Sequence, residues 1–476
     1  MEGRSITMEF EIRRREIGFS RPRLFAQRVG GLEDLIKRMD LYVKLSAHDG
    51  CVNTVHFNPT GDLLVSGSDD KQIIFWNWAQ KMKKFSYYSG HEDNVFQARV
   101  MPFTNNCSVI TSAADGQVRF GQIMENGRVE TKQLGEHDGR VHKLAIEPGS
   151  PYIFYSCGED GVVQRFDLRC PPATKLFTCS LLTENGHSNR NIQLNAIVID
   201  PHNPNHFTVA GFDEYARVYD VRNYQCDASS NRDRPLDTFS PNHLIGNDNV
   251  HITGLAYSNM SELLVSYNDE LVYLFQKDMG MGPNPKSIPA EKLQELDHPQ
   301  AYIGHRNSQT VKGVSFFGPN DEYVISGSDC GHIFMWRKKG GELLRIMLGD
   351  MHIVNCLEPH PCMTVLATSG IEKNVKLWSP IARDIIPLPD NVKEIMESNR
   401  QGREDRSRIT LTPDVIMRVL RLQRRQTFAY IERRYSRADF DFDEDDDGEA
   451  YVLGISDSDA ASDEDPSSNP RECNIT

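Results

Sequence analysis

Two arginines at matched positions are the side chains of this chain best placed to act on another molecule. Arg169 ends the run Phe166-Asp167-Leu168-Arg169, and Arg222 ends Tyr219-Asp220-Val221-Arg222. Each run is led by an Asp six residues before its aromatic, Asp160 in the first and Asp213 in the second. A guanidinium is planar, always charged, and pairs in a forked way with carboxylates. An Arg two places beyond a strand-ending Asp is not needed to build a strand. Two in succession point to a surface that docks a partner, where arginine is enriched. The competing role is internal: each Arg pairs with the Asp two residues earlier and only ties down the rim.

Other chemistry is thinly represented. There is no G-x-S-x-G, H-E-x-x-H or phosphate-binding loop, and Gly280-Met281-Gly282 is not followed by Gly-Lys-Ser/Thr. The chain is therefore expected to be no enzyme and to need no cofactor. His352, Cys356, His360 and Cys362 cluster in sequence, but their spacing matches no standard zinc motif, so no metal is expected. Ten Cys are scattered without a C-x-x-C, and several, including Cys51, Cys107, Cys157 and Cys356, lie in strand-like runs. Reduced thiols of an intracellular protein are the reading.

The elements that must position the arginines come as a repeat. Each unit starts near a His, passes through V-x-x-[VLI]-x-[FI], a Pro/Gly/Asn turn and a [VIA]-x-[SA]-x-G-like run, and ends at Asp-x5-aromatic. The first goes from His48 through Val52, Val55, Phe57 and Asp70 to Trp76. Later units close at Phe166, Tyr219, Phe275, Trp336 and Trp378, with a second unit between His91 and Asp115. The period-2 alternation predicts short strands. Seven units at WD40-like spacing predict an all-β, seven-bladed WD40 β-propeller, in which stacking around a channel buries both faces of each blade. The leading Asp is expected to accept backbone N–H groups and the blade's His. Three units depart from the pattern. Unit two has Phe120 one place early and Gly121 at the closing position. Unit six has Cys330 for the Asp, beside Asp329, and unit seven has Glu372. Polar stretches at Asp227–Asn247 and Lys277–Gln300 read as rim loops.

With the repeat in place, the two arginine endings match a docking box. Asp160 to Arg169 and Asp213 to Arg222 both fit Asp-x5-[Trp/Phe/Tyr]-Asp-x-Arg, with Tyr219 where Trp is commonest. The chain resembles the WD40 substrate receptors of cullin-4 RING ubiquitin ligases, the cullin-4-associated factors. Ser66-Gly67-Ser68-Asp69-Asp70, Asp115-Gly116-Gln117-Val118-Arg119, the run Ser326 to Phe334, and Pro380-Ile381-Ala382 look closest to the eighth type of that family. The resemblance spans roughly residues 20 to 435. It implies that Asp160, Phe166, Asp167, Arg169, Asp213, Tyr219, Asp220 and Arg222 form the site for the adaptor, damaged-DNA-binding protein 1. It also implies a ligase core built on cullin-4, a captured protein substrate, and a place in nucleus and cytoplasm. The alternative is a WD40 scaffold of another nuclear or cytoplasmic assembly, unlinked to ubiquitin.

The ends differ from the blades. Residues 1–44 are assigned to a helical, adaptor-docking segment. In it, Pro22 to Asp40 places Leu32, Leu35, Ile36 and Met39 on one helical face, which could equally pack on the propeller itself. Blades fill 45–380. Residues 381–437 hold a linker and a basic amphipathic helix that starts at Thr412-Pro413 and carries Arg418, Arg421, Arg424 and Arg425. The tail, 438–476, has fourteen Asp/Glu and one Arg, hence –13 of the total –14, and is expected to be disordered. The body is nearly neutral, which argues against direct nucleic-acid binding. No apolar run is long enough for a membrane helix, and the charged N-terminus lacks a secretory core.

Overall fold

A computed structural model describes residues 8–170, 172–180, 191–224, 234–247, 249–285 and 297–407. Seven four-stranded antiparallel sheets are arranged as blades. Their first strands are Val52–Phe57, Val95–Val100, Val141–Ile146, Leu194–Ile199, Ile252–Tyr257, Val314–Phe317 and Val354–Pro359. Each of these touches the first strand of the blades on either side, and the last touches the first, so they form a closed ring around an axis.

Closure is made by an element that the repeat alone did not reveal. Asp40–Ser46 is the outer strand of blade seven, paired antiparallel with Asn374–Ser379 from Asp40↔Ser379 to Ser46↔Asn374. The propeller therefore begins at Asp40 rather than at residue 45. The strand lies some 330 residues from its partner, so no local pattern marks the pairing. It buries Leu45 in a cluster with Val52, Trp76, Val375 and Leu377, and so joins blade one to blade seven.

The segment before it is three helices: α1 (Met8–Glu16), α2 (Pro22–Gly30) and α3 (Glu33–Lys37). The expected single helical face over 22–40 is interrupted at Gly30-Gly31, where a Cβ on Gly31 would lie 2.5 Å from the Glu322 carboxylate. Leu32, Ile36 and Met39 are buried, and Ile36 and Met39 pack with Phe317, Tyr323 and Leu366 of blades six and seven. That apolar stripe is thus spent on the protein's own core.

After the last blade comes α4 (Val392–Ser407), which lies earlier than the helix expected from Thr412. The latter, and the acidic tail, fall outside the described residues. Val392, Ile395 and Met396 pack against the cluster of Tyr302, Phe334 and Trp336. Asn399 Nδ2 donates to Gly304 O at 2.8 Å and to Cys330 Sγ at 3.3 Å.

Among the described residues no helix is long and apolar enough to cross a membrane, and no three His, Cys, Asp or Glu converge as metal ligands. His360, one of the four His/Cys noted above, has Nε2 2.8 Å from Gly61 O and Nδ1 accepting from the Cys362 N–H. Cys107, Cys157 and Cys356 are free thiols.

Candidate functional site: two arginine clamps at neighbouring blade ends

Blade three explains how the first box is built. Asp160 sits in the turn before the third strand, Val162–Asp167, and accepts the Val162 N–H at 3.0 Å. His137 Nδ1 lies 3.0 Å from both its carboxylate oxygens, and His137 Nε2 lies 2.7 Å from Ser156 Oγ. The same His–Asp–hydroxyl chain appears in blade one (His48, Asp70, Ser66) and blade two (His91, Asp115, Thr111). In blade one it extends to Trp76, whose Nε1 donates to Ser66 Oγ at 2.8 Å. These groups fix the turn and are consumed by it. Phe166, 2% exposed, stacks on Phe154 at 4.7 Å.

Blade four reaches the same endpoint by another route. Among the described residues no His faces Asp213; both of its carboxylate oxygens accept from Arg217, one at 3.0 Å. Tyr219, also 2% exposed, packs against Phe177 of blade three at 4.4 Å. Phe166, Asp213 and Tyr219 are therefore buried, and Asp160 is largely covered.

The third strands end at Asp167 and Asp220, and the two Arg follow. Asp167 Oδ1 accepts the Arg169 backbone N–H at 3.0 Å and Nε at 2.9 Å, and Oδ2 accepts Nη2 at 2.8 Å. Asp220 repeats this on Arg222, with the backbone N–H at 2.9 Å, Nε at 3.0 Å and Nη2 at 2.5 Å. The internal pairing is thus real in both blades. It does not consume the arginines: their side chains remain 56% and 61% exposed, while those of the Asp are mostly covered. Each carboxylate takes one edge of the fork and leaves the remaining N–H groups facing outward. Hydrogen bonds from Arg169 bring Asp167 down to about 2, and Asp220 is lowered by Arg222 in the same way. Both clamps therefore stay ionised throughout the neutral range.

One participant went unnoticed in sequence. The Arg169 guanidinium lies over the Tyr152 ring at 5.0 Å, and that ring is itself exposed. Tyr152 precedes the strand whose Ile153 pairs with Asp167, so the hairpin register was the signal that could have found it. The first strands of blades three and four are in contact, and both arginines follow the third strand of their blade. They therefore project from one rim, one blade apart.

Beyond the arginines, α1 and α2 pack on each other, with Phe10 and Leu24 on them and Ile17 and Phe19 between them exposed.

Comparison with known proteins agrees with this architecture. The family described as WD domain, G-beta repeat matches residues 39–77, 297–337 and 341–379. Over 293 residues the chain is 30% identical to the human protein named DDB1- and CUL4-associated factor 6, covering 60% of this chain and 34% of that one. It is 33% identical over 285 residues to Protein ALTERED SEED GERMINATION 2 of Arabidopsis thaliana, covering 54% and 38%. It is 21% identical over 618 residues to human WD and tetratricopeptide repeats protein 1, covering 80% and 90%. The chain spans only about a third of the length of the factor 6 relative. The protein is a seven-bladed propeller of WD40 repeats, similar over 60% of its length to a DDB1- and CUL4-associated factor.

Proposed function

We propose that this protein is a substrate-recognition subunit of a cullin-4 RING ubiquitin ligase. It docks damaged-DNA-binding protein 1 through Arg169 and Arg222 and presents a target protein for ubiquitination. Within that family its type is the eighth. The observation that carries the reading is the pair of half-exposed guanidiniums, each held in one orientation by its own Asp on adjacent blades. Fixing a long side chain before binding lowers the entropy lost on association. The names of the relatives at 30% identity supply the adaptor and the cullin.

In this reading contact belongs to the two arginines and Tyr152. The other six residues of the boxes hold them in place. The exposed apolar side chains of α1, α2 and their connection add a second contact, since such residues tend to mark a protein interface. The subunit is not catalytic. It acts in nucleus and cytoplasm by raising the effective concentration of its target near the ubiquitin-carrying enzyme.

The test is capture of purified adaptor by the wild-type chain and by Arg169→Ala/Arg222→Ala, with melting curves of both. Adaptor binding should fall at least tenfold in the variant while its melting temperature stays put, because exposed ion pairs add little stability. A wild-type chain that fails to bind the adaptor would sink the reading and leave a WD40 scaffold of another assembly.

A further inference from the structure

The central channel holds a charged cluster that neither the blades nor the arginine clamps use. His56 of blade one, Arg99 of blade two, Lys143 of blade three and Glu358 of blade seven all lie on first strands. His56 Nδ1 is 2.7 Å from Glu358 Oε1 and 2.9 Å from Arg99 Nη1, while Arg99 Nη1 is 3.4 Å from the same Glu358 oxygen. One ring nitrogen cannot both donate to the carboxylate and accept from the guanidinium, so only one of those two contacts is satisfied at a time. Arg99 Nε is buried and has no hydrogen-bond partner among the described residues.

Lys143 adds a second cation. Its ammonium has no ion pair or hydrogen bond among the described residues, yet it interacts electrostatically with Cys356 and Glu358. Those two lie on the first strand of blade seven, which lines the same channel as the first strand of blade three. Burial holds Lys143 below its ordinary range and, together with Arg99, lowers His56. Burial works to raise Glu358, but Arg99 and His56 bring it below its usual range, so it is ionised. The thiol of Cys157, beside Lys143, is pushed up by burial to about 12 and is neutral. The Arg99 guanidinium and the Lys143 amine therefore lie near one ionised carboxylate among the described residues. An uncompensated charge away from bulk water is costly, and a bound counter-charge removes the cost.

We propose that this level of the channel is a binding site for an oxyanion, a carboxylate or phosphate group on a ligand that enters the channel, held by Arg99 Nε and Lys143 Nζ. A guanidinium edge beside a point-charge ammonium is a donor set suited to such a group. His56 and Glu358 hold the guanidinium from its other side. The site lies on the first strands, while Arg169 and Arg222 follow third strands, so it stands or falls independently of adaptor docking.

The experiment uses the purified full chain without partners. Melting temperature and calorimetric binding are measured with pyrophosphate and with a triglutamate peptide, against potassium chloride at matched ionic strength. At least one anion should raise the melting temperature beyond the chloride control. Lys143→Met should be no less stable than wild type without anion and should lose the response, and Lys143→Gln should do the same. Glu358→Gln removes the competing carboxylate and should tighten binding by about tenfold. A response to pyrophosphate alone assigns the site to a free phosphate ligand, and a response to the peptide alone assigns it to an acidic segment of a protein; either supports the site. No response beyond chloride in wild type and Glu358→Gln overturns it, as does a response unchanged in both Lys143 variants.

Discussion

At the scale of single residues, the seven leading positions show what one substitution does to a blade. Where His and Asp are both present, as in blades one to three, the imidazole is held between a carboxylate and a hydroxyl. In blade six the Asp is replaced by Cys330. Asp329 does not take over, because it is paired with the fully buried Lys312. His305 is left with both ring nitrogens buried and unpartnered among the described residues, and burial pushes it down to about 3. His251 of blade five, stacked on Phe212 at 4.5 Å, is pushed down by burial to about 4. For a histidine lowered in the folded state, the unfolded chain binds the proton first as pH falls. Stability is therefore complete above about 6.5 and is lost as pH drops toward the folded values. Each should remove up to about 1.4 kcal/mol per pH unit below about pH 6. Denaturant titrations at pH 7, 6 and 5 should show the slope, and His305→Gln should flatten it. Cys330→Asp should reinstate the missing pair and raise the melting temperature. Its surroundings already favour an anion: burial alone would push the Cys330 thiol up, but hydrogen bonds from His332, Ser328 and Asn399 bring it down to about 7. No gain in melting temperature would show that Asp cannot reach His305 there.

At the scale of elements, the informative cases are those where a local pattern and its tertiary use diverge. Gly121 stands where other blades have their closing aromatic. A Cβ there would lie 2.7 Å from Tyr87 Oη, so the tyrosine of blade one occupies the space and a larger residue would displace it. The stripe on α3 was visible as helical spacing, but its partners on blades six and seven were not. α4 escaped notice because only Val392, Ile395 and Met396 mark an apolar face, in one short turn of an otherwise polar helix. Asn399, 2% exposed, ties α4 to blade six through Gly304 and Cys330. Asn399→Ala should cost about 1–2 kcal/mol by leaving those groups unpaired, read as a shift in the denaturation midpoint. Met396→Ala should add a further loss by removing a side chain that fits against Gly304.

At the scale of the whole molecule, ring closure depends on Asp40–Ser46. Removing residues 1–46 would strip blade seven of its outer strand, uncover the edge of Asn374–Ser379 and expose Val375 and Leu377. Open strand edges pair with other chains. The truncated chain should melt without a sharp transition and self-associate in light scattering. Lys44→Ala, on an exposed site of the same strand, should leave both measurements unchanged.

The blade count, the strand alternation, the two boxes and the odd residues of blades two and six were all legible in the amino-acid order. Each rests on contacts between residues that are close along the chain. Which strand closes the ring, which side chains of the boxes remain exposed, and which charges meet in the channel were decided by the fold. Arg217 reaching Asp213, Tyr87 filling the space at Gly121, and His56, Arg99, Lys143 and Glu358 gathering from four blades are meetings set by closing the ring. No spacing within a single repeat encodes them, because burial and through-space charge depend on where distant blades end up.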